Sequence, residues 1–273
     1  MRLYLRLVKM IIWTEHVKPY EELLKEVASR FEKANRTFKS QLGYAPIETL
    51  KTRIKSEASA KEKLERKGLS FDKKGLAKIT DIVGIRVICK FIDDVPEIMG
   101  LIKSWEKPKF RNALDKFVVD QVEVVEEQDH IDNPKESGYR SYHVVCRAKD
   151  LFFEVQIRTI AMDFWASTEH MLKYKYGGDL PQEIREKLKS IADIGSTLDL
   201  AMNDIRQDVK IGTTKSRLLE QFDKAVGILE KSGLSFKAEN YKARLAAAAD
   251  DLEALKSLAI QAKEDVPPGL WRE

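Results

Sequence analysis

The sequence predicts an α/β protein with a C-terminal helical extension, and three features of the 273-residue chain support this fold class. The run Ile79–Asp94 is apolar and rich in β-branched residues, as in a buried strand. The segment Phe152–Trp165 begins with alternating polar and apolar residues, as in a half-buried strand. Apolar residues at helical spacing precede and follow these segments, so helices flank the predicted strands.

The first predicted element is a helix from about Val17 to Leu42. Its apolar stripe consists of Leu23, Val27, Phe31 and Ala34. The apolar residues that precede this helix are interrupted by Arg6 and Lys9, and no small-residue cleavage site follows them. A signal peptide is therefore not expected.

Composition indicates an ordinary globular protein. Hydrophobic residues make up 43% and charged residues 34% of the chain, which suits a protein with one sizeable core. The net charge of +4 is too small to indicate nucleic-acid binding by itself. Cys89 and Cys146 lie in apolar strand patterns, and so few cysteines favour a reducing compartment. We therefore expect a cytoplasmic protein with no membrane contact.

The basic segment Lys51–Gly68 is predicted to form a helix. Its polar residues stand mostly three or four positions apart, so several share one side: Arg53, Lys55, Ser59, Lys63 and Arg66. Between Lys51 and Lys90, 12 lysine or arginine residues stand against 5 aspartate or glutamate residues. Such a face suits a polyphosphate, although a solvated helix surface is the more usual explanation of a charge run.

Polar residues within the two predicted strands indicate a functional site. Asp81 lies at the start of the first strand and Arg86 lies within it, and a charge in a buried strand is costly unless it has a function. In the second strand, Glu154, Gln156 and Arg158 alternate with apolar residues and share one face. A half-exposed strand with solvated polar residues explains this alternation equally well.

The segment Asn133–His143, NPKESGYRSYH, has the composition of a nucleotide pocket. A basic residue, a glycine turn, an aromatic side chain and a histidine lie close together there: Lys135, Gly138, Tyr139 and His143. A tyrosine ring offers a flat face for a purine base, and such stacking contributes about 1–3 kcal/mol.

Together these segments resemble the synthetase domain of the RelA/SpoT family, most closely its small, single-domain alarmone synthetases. RIKSEAS, DIVGIR, KESGYRSYH and EVQIRTIAMDFW with its continuation STEHMLKYKY occur in the family's order. The resemblance covers roughly Pro46 to Arg206 and implies the family's nucleotidyltransferase-like fold, a mixed sheet flanked by helices. It implies a GTP/GDP pyrophosphokinase, which moves the β,γ-pyrophosphate of ATP to the ribose 3′-hydroxyl of GDP or GTP.

The resemblance also assigns roles to individual residues. Asp81 and Glu154, expected on separate strands, match the ligands of Mg²⁺, and Gln156 is expected near the reacting hydroxyl. The ATP-binding positions are Arg53, Lys55, Ser59, Lys63, Arg66 and Arg86. The guanosine-nucleotide positions are Lys135, Tyr139, His143 and Asp163. The acceptor of the hydroxyl proton is left open among Glu154, Gln156 through water, and solvent.

A carboxylate at Asp163 suits recognition of guanine. The N1–H and N2–H₂ groups of guanine are adjacent donors, and one carboxylate accepts from both, whereas adenine presents an acceptor at N1. The neighbouring residues follow helical spacing and are predicted to be core: Phe164, Trp165, Thr168, Met171 and Leu172.

The chain is predicted to divide into an N-terminal helical segment (1–45), the synthetase domain (46–206) and a C-terminal helical hairpin (207–273). Gly177, Gly178 and Pro181 mark a break, after which a long amphipathic helix is expected. A separate stripe is predicted over Leu218–Leu229, followed by a turn at Ser232 and Gly233 and one further helix over Tyr241–Ala259.

Two alternatives to the synthetase reading are a toxin-like relative that pyrophosphorylates the 3′ end of tRNA, and a catalytically silent nucleotide-binding regulator. The resemblance further implies a homo-oligomer, a tetramer in the family, with an RNA or an alarmone as effector. Alarmone hydrolysis is not expected, because no histidine in the chain is followed by aspartate, the pair on which the family's hydrolase domain is built. Zinc is not expected, because the histidines lack partners at ligand spacing.

Overall fold

A five-stranded mixed sheet forms the centre of the computed structural model, which describes residues 2–106, 122–248 and 251–271. In chain order the elements are α1 (Arg2–Leu42), β1 (Ile47–Ile54), α2 (Glu57–Arg66), α3 (Lys73–Leu76), β2 (Val83–Cys89), α4 (Asp94–Ser104), β3 (Glu123–Asp129), β4 (Tyr142–Ala148), β5 (Leu151–Thr159), α5 (Ile160–Lys175), α6 (Gln182–Lys231), α7 (Ser235–Ala248) and α8 (Leu252–Glu264). None of these described helices is both long enough and apolar enough to cross a membrane.

The sheet has the strand order β1-β2-β5-β4-β3. The central pair β2 and β5 is parallel, and the other pairs are antiparallel. The predicted α/β class, mixed sheet and C-terminal helices are therefore confirmed. Because residues alternate across a strand, β2 and β5 send one set of apolar side chains into a core with α1 and α4, and Val83, Ile85 and Phe153 are buried there. Their polar residues lie on the opposite face.

The prediction of one helix over Lys51–Gly68 is wrong for its first part. Residues up to Ile54 form β1, which pairs with β2, and the helix begins only at Glu57, with the Ser56 side chain as its N-cap. Thr49, Thr52 and Ile54 favour a strand, and pairing with β2 satisfies the backbone groups of the segment. Arg53 therefore lies on a strand and Lys63 on a helix.

α5 continues directly from β5, and α6 packs beside it. Thr159 caps α5 by accepting from the Met162 N–H (3.2 Å), and its hydroxyl donates to Asp199 of α6 (2.6 Å). Trp165 is buried as predicted and donates to the Leu188 carbonyl (2.7 Å). The core assignment is wrong for two residues of the same helix, because the Phe164 and Met171 side chains are 66% and 58% exposed.

Residues after Ala201 form a second compact unit with its own core. The two helices predicted before the turn are one continuous helix, α6, and the turn at Ser232 and Gly233 is found as predicted. The single helix predicted over Tyr241–Ala259 is wrong, because α8 starts anew after Asp251, whose side chain accepts from the Glu253 and Ala254 N–H groups (2.9 and 3.1 Å).

Candidate active site

The polar face of the sheet carries two rows of side chains from the neighbouring strands β1, β2, β5 and β4. In the pairing of β1, β2 and β5, Arg53 lies opposite Gly84, and Gly84 lies opposite Glu154. One step along the same face, the aligned residues are Lys51, Arg86, Gln156 and His143. Residues of both rows line an open pocket: Lys51, Arg53, Gly84, Arg86, Glu154 and Gln156. Sheet register thus joins basic groups from β1 and β2 to a carboxylate on β5.

Asp81 was expected at the start of a strand, but it lies in the turn just before β2. Its two carboxylate oxygens contact the Lys55 Nζ (3.1 Å) and the Lys63 Nζ (2.9 Å). Burial favours the neutral acid, but the two ammonium groups outweigh this effect and lower the pKa of Asp81. Asp81 is therefore a carboxylate at neutral pH and joins the end of β1 to α2.

Each carboxylate oxygen of Glu154 contacts one neighbouring side chain. The His143 Nδ1 lies 3.3 Å from Oε1, and the Gln156 amide donates to Oε2 at 2.9 Å. Burial raises the pKa of Glu154, the contacts with His143 and Gln156 lower it, and the net shift is downward. The negative charge of Asp81 makes a smaller contribution that raises this pKa.

Asp163 lies in the first turn of α5, which returns it over the polar sheet face. Its side chain is only 8% exposed and contacts Lys51 (2.7 Å), Arg86 (3.0 Å) and Arg158 (3.3 Å). Burial raises the pKa of Asp163, but these cations lower it overall. Both oxygens are engaged, so a guanine base would have to share or replace these contacts.

The loop before β4 presents Tyr139 to the site. Gly138, at φ +89°, forms the turn, and the Lys135 Nζ lies 5.1 Å from the centre of the Tyr139 ring. The Tyr139 hydroxyl is 2.7 Å from the His143 Nε2 and accepts from Arg158 at 2.6 Å. Three of the predicted guanosine positions are therefore brought together, with Lys135 and His143 both next to the Tyr139 side chain.

The remaining predicted ATP positions differ in how close they lie to this cluster. Arg53 covers Gly84, where a Cβ atom would lie 3.1 Å from the Arg53 Cγ and Nε. Ser59 takes part in the cap of α2, where the Ser56 hydroxyl donates to the Ser59 hydroxyl (2.9 Å). Arg66 is exposed at the last residue of α2.

Two site residues were missing from the sequence prediction. Lys51 lines the pocket and binds Asp163, and period-two spacing with Arg53 would have indicated it had the segment been assigned as a strand. Arg158 was placed on the correct strand face, but it received no role. It is 3% exposed and contacts Tyr139, Gln156 and Asp163.

Asp81 and Glu154 offer carboxylate oxygens, which are the ligand type that suits Mg²⁺. Within the described residues, no group of three or more His, Cys, Asp or Glu side chains could hold a metal ion by itself. Mg²⁺ usually takes one or two protein carboxylates and completes its shell with substrate phosphates and water. Two carboxylates next to a basic pocket therefore fit a metal that arrives with a polyphosphate.

Comparisons with known proteins agree with this geometry. The family model described as "Region found in RelA / SpoT proteins" matches residues 52–179. The GTP pyrophosphokinase YwaC of Bacillus subtilis (strain 168) is 34% identical over 206 residues, which cover 72% of this chain and 91% of YwaC. The GTP pyrophosphokinase YjbM of the same organism is 32% identical, with 72% and 90% covered.

Solved structures give the same result. The small alarmone synthetase 1 from Bacillus subtilis bound to its product pppGpp superposes with a TM-score of 0.61 at 32% identity, covering 72% of this chain and 97% of that one. A GTP pyrophosphokinase family protein from Streptococcus pneumoniae gives a TM-score of 0.60 at 36% identity, with 72% and 94% covered. The chain belongs to the RelA/SpoT family, in the group of the small alarmone synthetases.

Proposed function

We propose that this protein transfers the β,γ-pyrophosphate of ATP to the ribose 3′-hydroxyl of GDP or GTP, which makes guanosine tetra- or pentaphosphate for the stringent response. The observation that carries the proposal is the pocket on the polar sheet face, where Glu154 lies among the basic side chains of Lys51, Arg53 and Arg86. Pyrophosphoryl transfer needs little covalent chemistry from the protein. It needs charge neutralisation and alignment, which such a site supplies.

ATP would bind along the basic side of the pocket. Arg53 and Arg86 offer planar guanidinium groups for forked hydrogen bonds to phosphate or for stacking on adenine, and Lys55 and Lys63 offer point charges. Both lysines contact Asp81, so ATP phosphates would compete with that carboxylate for the same ammonium groups. We assign Ser59 and Arg66 to the outer part of this subsite.

GDP or GTP would bind on the other side of Glu154. Its base would stack on Tyr139 and donate to Asp163, and Lys135 and His143 would meet its phosphates and sugar. Gln156 lies next to Glu154 on the same strand face, which suits a role in orienting the 3′-hydroxyl.

Asp81 and Glu154 are the residues that would hold Mg²⁺. When bound, this cation neutralises phosphate charge during the transfer. The lowered pKa values of both side chains keep them ionised and ready to bind a cation at neutral pH. Glu154, Gln156 through water, and solvent all stay candidates for the proton of the 3′-hydroxyl.

The activity is tested by incubating the full chain with Mg²⁺, ATP and either GDP, GTP or tRNA, and separating the products by chromatography. We expect AMP together with a guanosine 3′-pyrophosphate. Phosphate transfer to tRNA alone would contradict the proposal and support the tRNA-modifying alternative. Nucleotide binding without any transfer would instead support a silent regulator. Incubation of the product with Mn²⁺ should release no pyrophosphate, since we propose synthesis without hydrolysis.

We further propose that the chain acts as a homo-oligomer, a tetramer as in its family. An exposed apolar surface on α5 and α6 supports this proposal. α5 and α6 approach closely at Ala161 and Gly195, and the surrounding exposed side chains are Ile160, Phe164, Ile191, Ile194 and Leu198. Contiguous apolar surface of this kind is typical of protein interfaces.

Light scattering after size-exclusion chromatography tests the oligomer. Phe164→Ser should lower the molecular mass. Phe236→Ser, which changes an 84% exposed phenylalanine of the C-terminal unit, should not. An unchanged mass for Phe164→Ser would contradict the role of this surface. We also propose a cytoplasmic location, which the buried free thiols of Cys89 and Cys146 support. Regulation by an RNA or an alarmone stays a prediction.

A further inference from the structure

Arg158 is an arginine buried inside the candidate active site. Its residue is 3% exposed, although arginine is almost never fully buried without partners. It stands four positions after Glu154 on β5, which corresponds to about 13 Å along a strand. The contacts of Arg158 are to Tyr139, Gln156 and Asp163, so its influence on Glu154 passes through other side chains.

Two chains of hydrogen bonds run from Arg158 to Glu154. In the first, the Arg158 Nη2 donates to the Gln156 Oε1 (2.8 Å), and the Gln156 Nε2 donates to the Glu154 Oε2 (2.9 Å). In the second, the same Nη2 donates to the Tyr139 hydroxyl (2.6 Å), which lies 2.7 Å from the His143 Nε2. The His143 Nδ1 then lies 3.3 Å from the Glu154 Oε1. The two chains close a ring that starts at a pure donor and ends at a pure acceptor.

The chemistry of the end groups fixes the direction of every bond in this ring. A guanidinium group only donates, so Gln156 must present its oxygen to Arg158 and its NH₂ to Glu154. At the other end Glu154 only accepts, so a neutral His143 that donates to it from Nδ1 has a bare Nε2, which accepts the proton of the Tyr139 hydroxyl. A neutral His143 then carries its own proton on Nδ1, facing Glu154.

We propose that Arg158 is a positioning residue that sets this direction, so that Glu154 receives one hydrogen bond on each oxygen and His143 is held as the Nδ1–H tautomer. The proposal deepens the proposed function, on which it rests for the role of Glu154 in the reaction. Without Arg158, the Gln156 oxygen loses its donor, and the amide is held only by its hydrogen bond to Glu154. The plane of the carboxylate would then be less firmly fixed.

Tyr139→Phe is the sharpest variant, because it keeps the ring that would stack on guanine and removes only the hydroxyl of the second chain. The matched control is Tyr142→Phe on the same strand as His143. The Tyr142 hydroxyl donates to Glu127 (2.7 Å), outside the ring of bonds. Arg158→Lys breaks both chains while it keeps the charge, and Arg147→Lys, at an arginine paired with Glu123, is its control.

The first readout is the tautomer of His143, measured by ¹H–¹⁵N correlation on ¹⁵N-histidine-labelled protein at about pH 8, where an ordinary imidazole is neutral. The chain has 4 histidines, so His143 is assigned from the signal that a His143→Asn sample lacks. We expect the Nδ1–H form in the unmodified protein and in Tyr142→Phe. We expect a weaker preference in Tyr139→Phe and Arg158→Lys, in which Glu154 alone favours the Nδ1–H form.

The second readout is kinetic. Tyr139→Phe should lower kcat by roughly 10- to 100-fold, which is the usual effect of removing a hydrogen bond that orients a metal ligand. The KM for the guanosine nucleotide should stay within about threefold, because the stacking ring is kept. Arg158→Lys should lower kcat at least as much, and both controls should be unchanged. A merely structural role for Arg158 would lower stability without moving the tautomer.

The outcomes separate this proposal from the proposed function. The tautomer is measured without substrate, so it tests the ring of bonds even if no guanosine pyrophosphate is made. An Nε2–H form in the unmodified protein, or a His143 signal unchanged by Tyr139→Phe, would overturn the proposal. If Arg158→Lys does not fold, Tyr139→Phe alone decides.

Discussion

Gly138 packs against Ala192 of α6 so closely that a Cβ atom on residue 138 would lie 2.8 Å from the Ala192 Cβ. The φ angle of Gly138 is +89°, a region that disfavours residues with a side chain. Arg140 fastens the same loop to α6 by donating to the Ala192 carbonyl (3.3 Å) and to the Asp193 carboxylate (3.1 Å). The position of Tyr139 therefore depends on the contact between this loop and α6.

Gly138→Ala is expected to destabilise the protein and to displace Tyr139. Positive φ costs roughly 1–2 kcal/mol for a residue with a Cβ, and the clash with Ala192 adds about 1–3 kcal/mol. Urea unfolding should show the sum of both effects. The matched control is Gly43→Ala, which also has positive φ (+68°) but open space around the added atom, so it should show the first cost alone.

A second substitution separates the two causes. Ala192→Gly removes the atom that a Cβ on residue 138 would strike, so it should recover part of the stability of Gly138→Ala while costing about 1 kcal/mol by itself in a helix. Additive effects of the two substitutions would contradict the packing explanation.

Asp81→Asn and Glu154→Gln should each remove most of the pyrophosphate transfer. Both keep the size of the side chain and remove a charge that would hold Mg²⁺. A loss of several kcal/mol of transition-state stabilisation corresponds to at least about a 100-fold lower kcat. Product formation is measured by chromatography at saturating nucleotide and over a range of Mg²⁺ concentrations. A folded variant with a near-normal rate would remove that residue from the metal site.

Substrate-specific effects on KM distinguish the two nucleotide subsites. Tyr139→Ala should raise the KM for GDP or GTP by roughly 5- to 150-fold, the equivalent of about 1–3 kcal/mol of lost stacking, with a much smaller effect on ATP. Lys63→Ala and Arg66→Ala should raise the KM for ATP more than the KM for GDP or GTP. Steady-state kinetics with each nucleotide varied in turn decides between these outcomes, and equal effects on both substrates would place these residues elsewhere.

The parts of the fold that could be predicted from the sequence are those with a strong local pattern. The run around Val83–Cys89 predicts a strand because it is short, apolar and rich in β-branched residues. The segment around Glu154 predicts a strand because its polar and apolar residues alternate with a period of two. β1 was missed because Lys55, Ser59, Lys63 and Arg66 fit a helical repeat, and the helix was extended back over Lys51 and Arg53. The β-favouring residues of this segment gave a weaker signal than the helical repeat, and pairing with β2 decides its conformation.

The contacts of the candidate site depend even more on tertiary structure. Lys51 and Asp163 are 112 residues apart in the chain and meet only because α5 returns over the sheet. The exposure of Phe164 also depends on tertiary structure. Helical spacing shows which residues share a face of α5, but it does not show which faces find a neighbour within the chain.

The Asp163 cluster should make the protein sensitive to acid. Because cations lower the folded pKa of Asp163, its stabilising effect is present above the unfolded value of about 3.9 and is lost as pH falls through the folded value. Asp163→Asn should reduce the free energy of unfolding by roughly 3 kcal/mol at pH 7, and this difference should shrink below about pH 4. Urea unfolding at several pH values measures it. Asp179→Asn, at a 93% exposed carboxylate, should behave like the unmodified protein.

The turn between β4 and β5 offers a stabilising substitution outside the candidate site. Lys149 and Asp150 join the paired residues Ala148 and Leu151, and both have positive φ (50° and 63°), as in a type I′ turn, which favours glycine at the second position. Asp150→Gly should therefore raise the free energy of unfolding by about 0.5–1 kcal/mol in urea titrations, with no change in kcat. Asp150→Ala keeps the strained Cβ and should not stabilise. Equal stabilisation by both substitutions would mean that the aspartate side chain, rather than the backbone conformation, is the source of the strain.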